Sequence, residues 1–196
     1  MAEAILRISG WERSLMAAEK VKERCRRAAR ALDEAGVPYA VAGGNAVAEW
    51  VARIDEEATR NTKDVDILVR RSDLPAVQAA LEGVGFIYHH VWGVDAFIDG
   101  PDGKPSGGVH LLFAGEKVKP NDVNALPELD DSERGHDFQV ASLEALLRMK
   151  LIAWRDKDRT HIRDLIGVGL IDASWPGRFP APLGDRLQQL LDDPDG

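Results

Sequence analysis

Thr62-Lys63-Asp64-Val65-Asp66-Ile67-Leu68-Val69 decides how the rest of the chain is read. Charged and apolar residues alternate at its start and give way to an apolar run, the pattern of a strand at the edge of a site. Successive strand side chains point to opposite faces, so Asp64 and Asp66 share one face, about 7 Å apart. Two carboxylates so placed repel each other unless something positive lies between them. A hard divalent cation held by oxygen ligands does this, and Mg²⁺ keeps part of its water shell for a substrate phosphate. Two solvated aspartates on an exposed strand would show the same spacing, so the pair gains meaning only beside a second feature.

That feature lies upstream, in Ala42-Gly43-Gly44-Asn45. The apolar run Tyr39–Ala42 reads as a short strand, and a helix follows through Ala46, Val47, Trp50 and Val51. Two glycines between strand and helix let backbone approach a ligand closely, and helix N–H groups there favour phosphate. A tight strand-to-helix turn would use the same residues. No Gly-Lys-Ser/Thr follows, which excludes a P-loop, and the third glycine of a dinucleotide fingerprint is absent.

Outward from this centre, residues 11–35 read as one amphipathic helix, stopped by Gly36 and kept from resuming by Pro38. Ser72 or Asp73 is expected to cap a third helix through Leu74, Val77, Ala80 and Leu81. Residues 85–90 and 91–98 are strand-like; a turn-rich loop, 100–108, then leads to a strand at Val109–Phe113. Residues 115–137 are polar and read as a crossing loop. Ser142 caps a helix through Leu143–Ile152, a further helix covers about 158–168 and ends at Gly169, and a short one lies near 187–191. The order predicts an α+β fold: a mixed β-sheet with flanking helices and a C-terminal helical unit. The expected divisions are an N-terminal helix (1–36), a core (37–137), and a C-terminal helical region and tail (138–196).

Strand, Gly-Gly, helix and a strand bearing Asp-x-Asp together resemble the DNA polymerase beta-like nucleotidyltransferase superfamily. The segment Arg60-Asn61-Thr62-Lys63-Asp64-Val65-Asp66 is similar to the Arg-x-Thr-x-Asp-x-Asp signature of its AbiEii toxin-like branch. Met149-Lys150-Leu151, Arg155-Asp156-Lys157-Asp158 and Asp164-Leu165-Ile166 are similar to that branch's helical region, so the resemblance spans about 37–172. It implies the nucleotidyltransferase fold and metal-dependent transfer of a nucleoside monophosphate from an NTP to an acceptor: RNA, protein or a small molecule. By position, Gly43, Gly44 and Asn45 would sit at the triphosphate, and Asp64 and Asp66 would hold Mg²⁺ (or Mn²⁺). Lys150 would contact phosphate or base, unless it is a solvated helix lysine. Arg60 and Thr62 would orient Asp64 or touch phosphate, unless they only fix the turn.

The family's third carboxylate is missing. Its position, in Gly108-Val109-His110-Leu111, holds His110. An imidazole binds transition metals or accepts a proton but is a poor ligand for Mg²⁺. His110 therefore stands for a changed metal, a histidine base or a lost activity, with Asp95 and Glu116 as alternative third carboxylates. Two readings follow: an active transferase, or a degenerate member that binds nucleotide or a protein partner without turnover. A third is an interaction protein pairing through its N-terminal helix.

The bulk numbers fit a globular chain. Its 196 residues are 44% hydrophobic and 30% charged, enough for a core without staples. The net charge of -8 disfavours a nucleic-acid surface outside a local basic patch. A single cysteine, Cys25, excludes a disulfide framework and cysteine-based zinc sites. No apolar run approaches the roughly 20 residues that span a bilayer, and charges from Glu3 to Lys20 leave no signal-peptide core. A cytoplasmic protein without membrane contact is expected.

Overall fold

A computed structural model describes residues 9–193. Helix α1 (Gly10–Glu34) starts at Ser9, whose hydroxyl accepts from the Glu12 N–H while the Glu12 carboxylate accepts from the Ser9 N–H. This reciprocal box satisfies two N–H groups that a helix start leaves without partners. From Val21 onward α1 is buried along one face, through Cys25, Ala28, Ala29 and Leu32; Trp11, Leu15 and Met16 are exposed. The helix ends at Gly36, whose φ of 64° is the left-handed stop that the sequence predicts.

Seven strands form one sheet: β1 (Ala40–Ala42), β2 (Val65–Val69), β3 (Phe86–Val91), β4 (Val94–Asp99), β5 (Val109–Phe113), β6 (Ser132–Arg134) and β7 (Gln139–Ala141). Their order is β3-β4-β5-β2-β1-β7-β6. β2 runs parallel to β5 and β1 to β7, and the other pairs are antiparallel, so the sheet is mixed. The Asp-bearing strand β2 lies inside the sheet, flanked by β1 and β5. One face of β2 and β5 carries Val65, Ile67, Val69, Val109, Leu111 and Phe113, all buried. Helices α1 and α3 (Leu74–Gly83) pack together on that side, where Arg24 and Arg27 of α1 pair with Asp99. The other face carries Asp66 and His110, directly opposite each other in register.

Helix α2 (Gly43–Ala52) packs on β1 and β2 and meets α4 (Leu143–Ala153) and α5 (Asp156–Gly167). Ser142 caps α4 through the Ala145 N–H, and Gly169, with φ of 79°, follows the end of α5, both as expected. Trp50 anchors α2 to the sheet by donating to the Ala141 carbonyl. The fold is thus α+β with helices on a mixed sheet and a helical C-terminal part, as the sequence predicts.

Four details differ. Residues 115–137 are not all loop, since β6 forms there and pairs with β7, which carries the sheet past residue 137. Both strands are three residues long, too short for alternation to register. Asp73 takes the N-cap position of α3 but makes no side-chain capping bond: a 3-10 turn (Arg71–Asp73) leads into the helix, and the Asp73 carboxylate accepts from the Ser72 hydroxyl instead. Helix α6 (Ala181–Asp192) is longer than the short segment expected near 187–191, because Pro182 sits in its first turn, where no N–H partner is lost. Helix α5 begins at Asp156, two residues early, with Arg155 at its N-cap after Trp154 turns the chain with φ of 48°. No described helix is long and apolar enough to cross a membrane.

Candidate active site

The site is built on two glycines. Gly43 follows β1 and opens α2 with φ of 63°, and a Cβ placed on it would overlap the Asp66 carboxylate. A Cβ on Gly44 would stand 2.9 Å from the Thr62 side chain. The Gly-Gly pair therefore makes room for the Asp66 carboxylate and for Thr62, which bonds Asp64. Asn45 donates from Nδ2 to the Asp64 carbonyl at 2.9 Å, fixing the entry to β2. The Val65 N–H donates to the Gly108 carbonyl at 3.1 Å, which brings the start of β5 alongside.

Asp64, Asp66 and His110 converge, each half-buried, with one ligand-capable atom from each lying within 4.8 Å of the others. The atoms that converge are selected by their neighbours. Thr62 Oγ1 donates to Asp64 Oδ1 at 2.9 Å, leaving Oδ2 toward the histidine. Gly43 abuts Asp66 Oδ2, leaving Oδ1 inward. His110 Nε2 lies 2.9 Å from the Pro105 carbonyl and can only donate to it, which leaves the Nδ1 lone pair for the carboxylates in the neutral ring. Nδ1 is 3.9 Å from Asp64 Oδ2 and 3.7 Å from Asp66 Oδ1. Donors held about 2.1 Å from a tetrahedral ion stand about 3.4 Å apart. The two distances from Nδ1 exceed this by a few tenths of an ångström, and all three ligand-capable atoms lie within 4.8 Å of one another.

Electrostatics agree with the geometry. Burial opposes ionisation of Asp64, but the Thr62 hydroxyl and the Lys157 ammonium, 3.9 Å away, outweigh it and hold its pKa below the usual carboxylate value. The Asp66 carboxylate lifts His110 above 6.5 against the effect of burial, with help from the Pro105 carbonyl.

Lys150 is not a solvated helix lysine. It is 4% exposed, pairs with the fully buried Asp158 at 3.2 Å, and lines a cleft with Gly43 and Asp66. Burial lowers its pKa, with Asp158 opposing. Arg155 clamps the same carboxylate at 2.6 Å and also feels the charges of Asp66 and Asp64. Arg155 and Lys157, at the start of α5, are half-exposed cations that feel the charge of these aspartates. Sequence alone gives neither residue a role; its one signal is a pair of cations beside a helix start.

Arg60 is drawn away from the carboxylates. Its guanidinium binds both oxygens of Asp164 on α5, at 2.9 and 2.8 Å, tying the loop to that helix. Neither alternative third carboxylate reaches the site. Ala96 pairs with His110, so Asp95 points from the opposite face, where Tyr88, His90 and Arg71 hold it. Glu116 is bound by Arg71 at 2.6 Å. His110 is the third member of the cluster. His161 is partly buried in α5, and burial pushes its pKa down to about 4.

No protein-family profile matches the sequence, and no curated protein is similar to it. Solved structures are similar in fold. The antibiotic-resistance factor ANT(2'')-Ia superposes with a TM-score of 0.56 at 15% identity, over 90% of this chain and 93% of that one. An antigenic nucleotidyltransferase-like protein from Paracoccidioides brasiliensis superposes with a TM-score of 0.52 at 21% identity, over 96% of this chain and 91% of that one. The likeness of Arg60–Asp66 to the AbiEii branch is one of motif alone. In architecture, the chain has the nucleotidyltransferase fold.

Proposed function

We propose that the protein transfers a nucleoside monophosphate from an NTP to a hydroxyl-bearing acceptor. The observation that carries this reading is the cluster of Asp64, Asp66 and His110 beside the Gly43-Gly44 turn, with Lys157 and Arg155 facing it. Asp64, Asp66 and His110 would hold a divalent ion. Such an ion, when bound, would neutralise phosphate charge and orient the attacking and leaving oxygens. The α2 N-terminus, free of side chains at Gly43 and Gly44, admits the triphosphate, and Lys157 and Arg155 offset its charge. Thr62 and Asn45 position Asp64 rather than touch substrate. In the reaction the acceptor oxygen bonds to the α-phosphorus and the bond to the β-phosphate bridging oxygen breaks. Pyrophosphate departs, and the hydroxyl proton passes to solvent water.

The Arg60–Asp66 motif supports a toxin-like member acting on RNA, protein or a small molecule. Incubation with α-labelled NTPs, divalent metal and cell extract tests the activity, and growth arrest on expression tests the toxin reading. Wild type is expected to label an acceptor, and Asp64→Asn/Asp66→Asn to label none. Equal behaviour of the two ends the transferase reading. NTP binding by calorimetry without labelled product identifies the degenerate alternative, in which His110 marks a lost activity.

A further inference from the structure

We infer that the Asp64–Asp66–His110 cluster is a site for a divalent transition-metal ion, such as Mn²⁺, Co²⁺ or Zn²⁺, ligated through His110 Nδ1 and preferred over Mg²⁺. The inference deepens the functional reading above and rests on it for the site's role, though not for the site's geometry.

Three observations carry it. The first is the donor set itself: two carboxylate oxygens and one imidazole nitrogen converge where an all-oxygen set would suit Mg²⁺. Mg²⁺ gives up water reluctantly and takes oxygen ligands, whereas imidazole suits the later divalent ions. The second is the back-bond of the ring. His110 Nε2 donates to the Pro105 carbonyl at 2.9 Å, the outer contact that fixes a metal-binding histidine's tautomer and aims its other nitrogen. Pro105 opens the 3-10 turn Pro105–Gly107, so its carbonyl belongs to a backbone segment with a hydrogen bond of its own, from the Gly108 N–H. The third is the matching treatment of the carboxylates. Asp64 Oδ1 is occupied by Thr62 and Asp66 Oδ2 is walled by Gly43, so the remaining oxygens face Nδ1. All three groups are braced from outside, and no carboxylate from β4 or the following loop stands by to replace the nitrogen: Asp95 is on the other face and Glu116 is held by Arg71.

The test is metal binding by the full chain without nucleotide. Calorimetric titration with Mn²⁺, Zn²⁺ and Mg²⁺ is expected to give affinities at least about tenfold tighter for the first two, the scale on which ligand shells tune such sites. Pulsed electron paramagnetic resonance of the Mn²⁺ complex is expected to show a directly coordinated ¹⁴N. His110→Ala should lose both the preference and the nitrogen coupling, and His110→Asp should shift the preference to Mg²⁺. Circular dichroism checks that each variant folds; the wild-type nitrogen signal decides the matter even if His110→Ala does not. Equal or tighter Mg²⁺ binding by wild type overturns the inference, as does a Mn²⁺ complex without ¹⁴N coupling. A chain that prefers Mn²⁺ but transfers no nucleotide keeps this inference and sinks the functional reading. Mg²⁺-supported transfer with no nitrogen coupling does the reverse.

Discussion

Gly43 stands against Asp66 so closely that no side chain fits between them. The contact arises because Ala42, the last residue of β1, pairs with Asp66 on β2, which sets the residue after β1 over the carboxylate. The backbone there is left-handed, which costs a residue with a Cβ about 1–2 kcal/mol. Gly43→Ala is therefore expected to lower the melting temperature by several degrees, at about 2–4 °C per kcal/mol for a chain of this size. It should also push Asp66 aside and weaken metal binding. Thermal melts and metal titration check both effects, and a variant that melts and binds like wild type would contradict the packing described.

The Thr62 hydroxyl meets the proposed metal site through its bond to Asp64. Thr62→Val keeps the shape and removes the donor to Oδ1. Asp64 then loses the foremost contact lowering its pKa, so protons compete better for it. Metal affinity is expected to fall about 10–100-fold, and its pH profile to move to higher pH. Titration of metal at several pH values measures the shift.

The buried pair of Lys150 and Asp158 makes unequal demands on its members. Asp158 has two cationic partners, Lys150 and Arg155, whereas Lys150 depends on Asp158. Asp158→Leu strands a buried ammonium and is expected to cost about 3–5 kcal/mol. Lys150→Met leaves Arg155 on the carboxylate and should cost less. The double variant should lose less than the sum of the two. Urea unfolding of all three gives the coupling, and strict additivity would mean that the charges do not interact.

Residue patterns made the centre of this site legible, and pairing partners decided the rest. Alternation from Asp64 to Val69 placed the two aspartates on one face, and the strand at 109–113 pointed to His110, which the register sets opposite Asp66. The choice between His110 and Asp95 needed the pairing of Ala96 with His110, a long-range fact that local sequence does not carry. The burial of Lys150 was hidden for a similar reason. Leu146, Leu147, Met149, Leu151 and Ile152 are buried as well, so α4 has almost no solvent side, and a lysine read as surface lies in the core. Strands β6 and β7 escaped because each pairs over three residues only. Arg155 is an unusual residue to precede a helix, and its position there depends on Asp158 reaching back to its N–H and guanidinium.

His161 gives the fold an acid sensitivity of definite sign. In the folded chain its pKa is about 4, lowered first by burial and then by Lys150; unfolded, it is near 6.5. Between these values the unfolded chain takes up a proton that the folded chain refuses, so stability falls as pH drops from about 6.5 to 4. The raised pKa of His110 works in another window: its contribution is complete below 6.5 and fades as pH rises through the folded value. The lowered carboxylates, Asp64, Asp95, Asp99 and Asp158 among them, lose their contributions only as pH falls through about 4 and below. A melt at pH 5 compared with one at pH 6.5 therefore isolates His161. Wild type is expected to melt lower at pH 5, and His161→Gln, which cannot take up the proton, to show a smaller difference. An equal drop in both proteins would assign the acid sensitivity to another group.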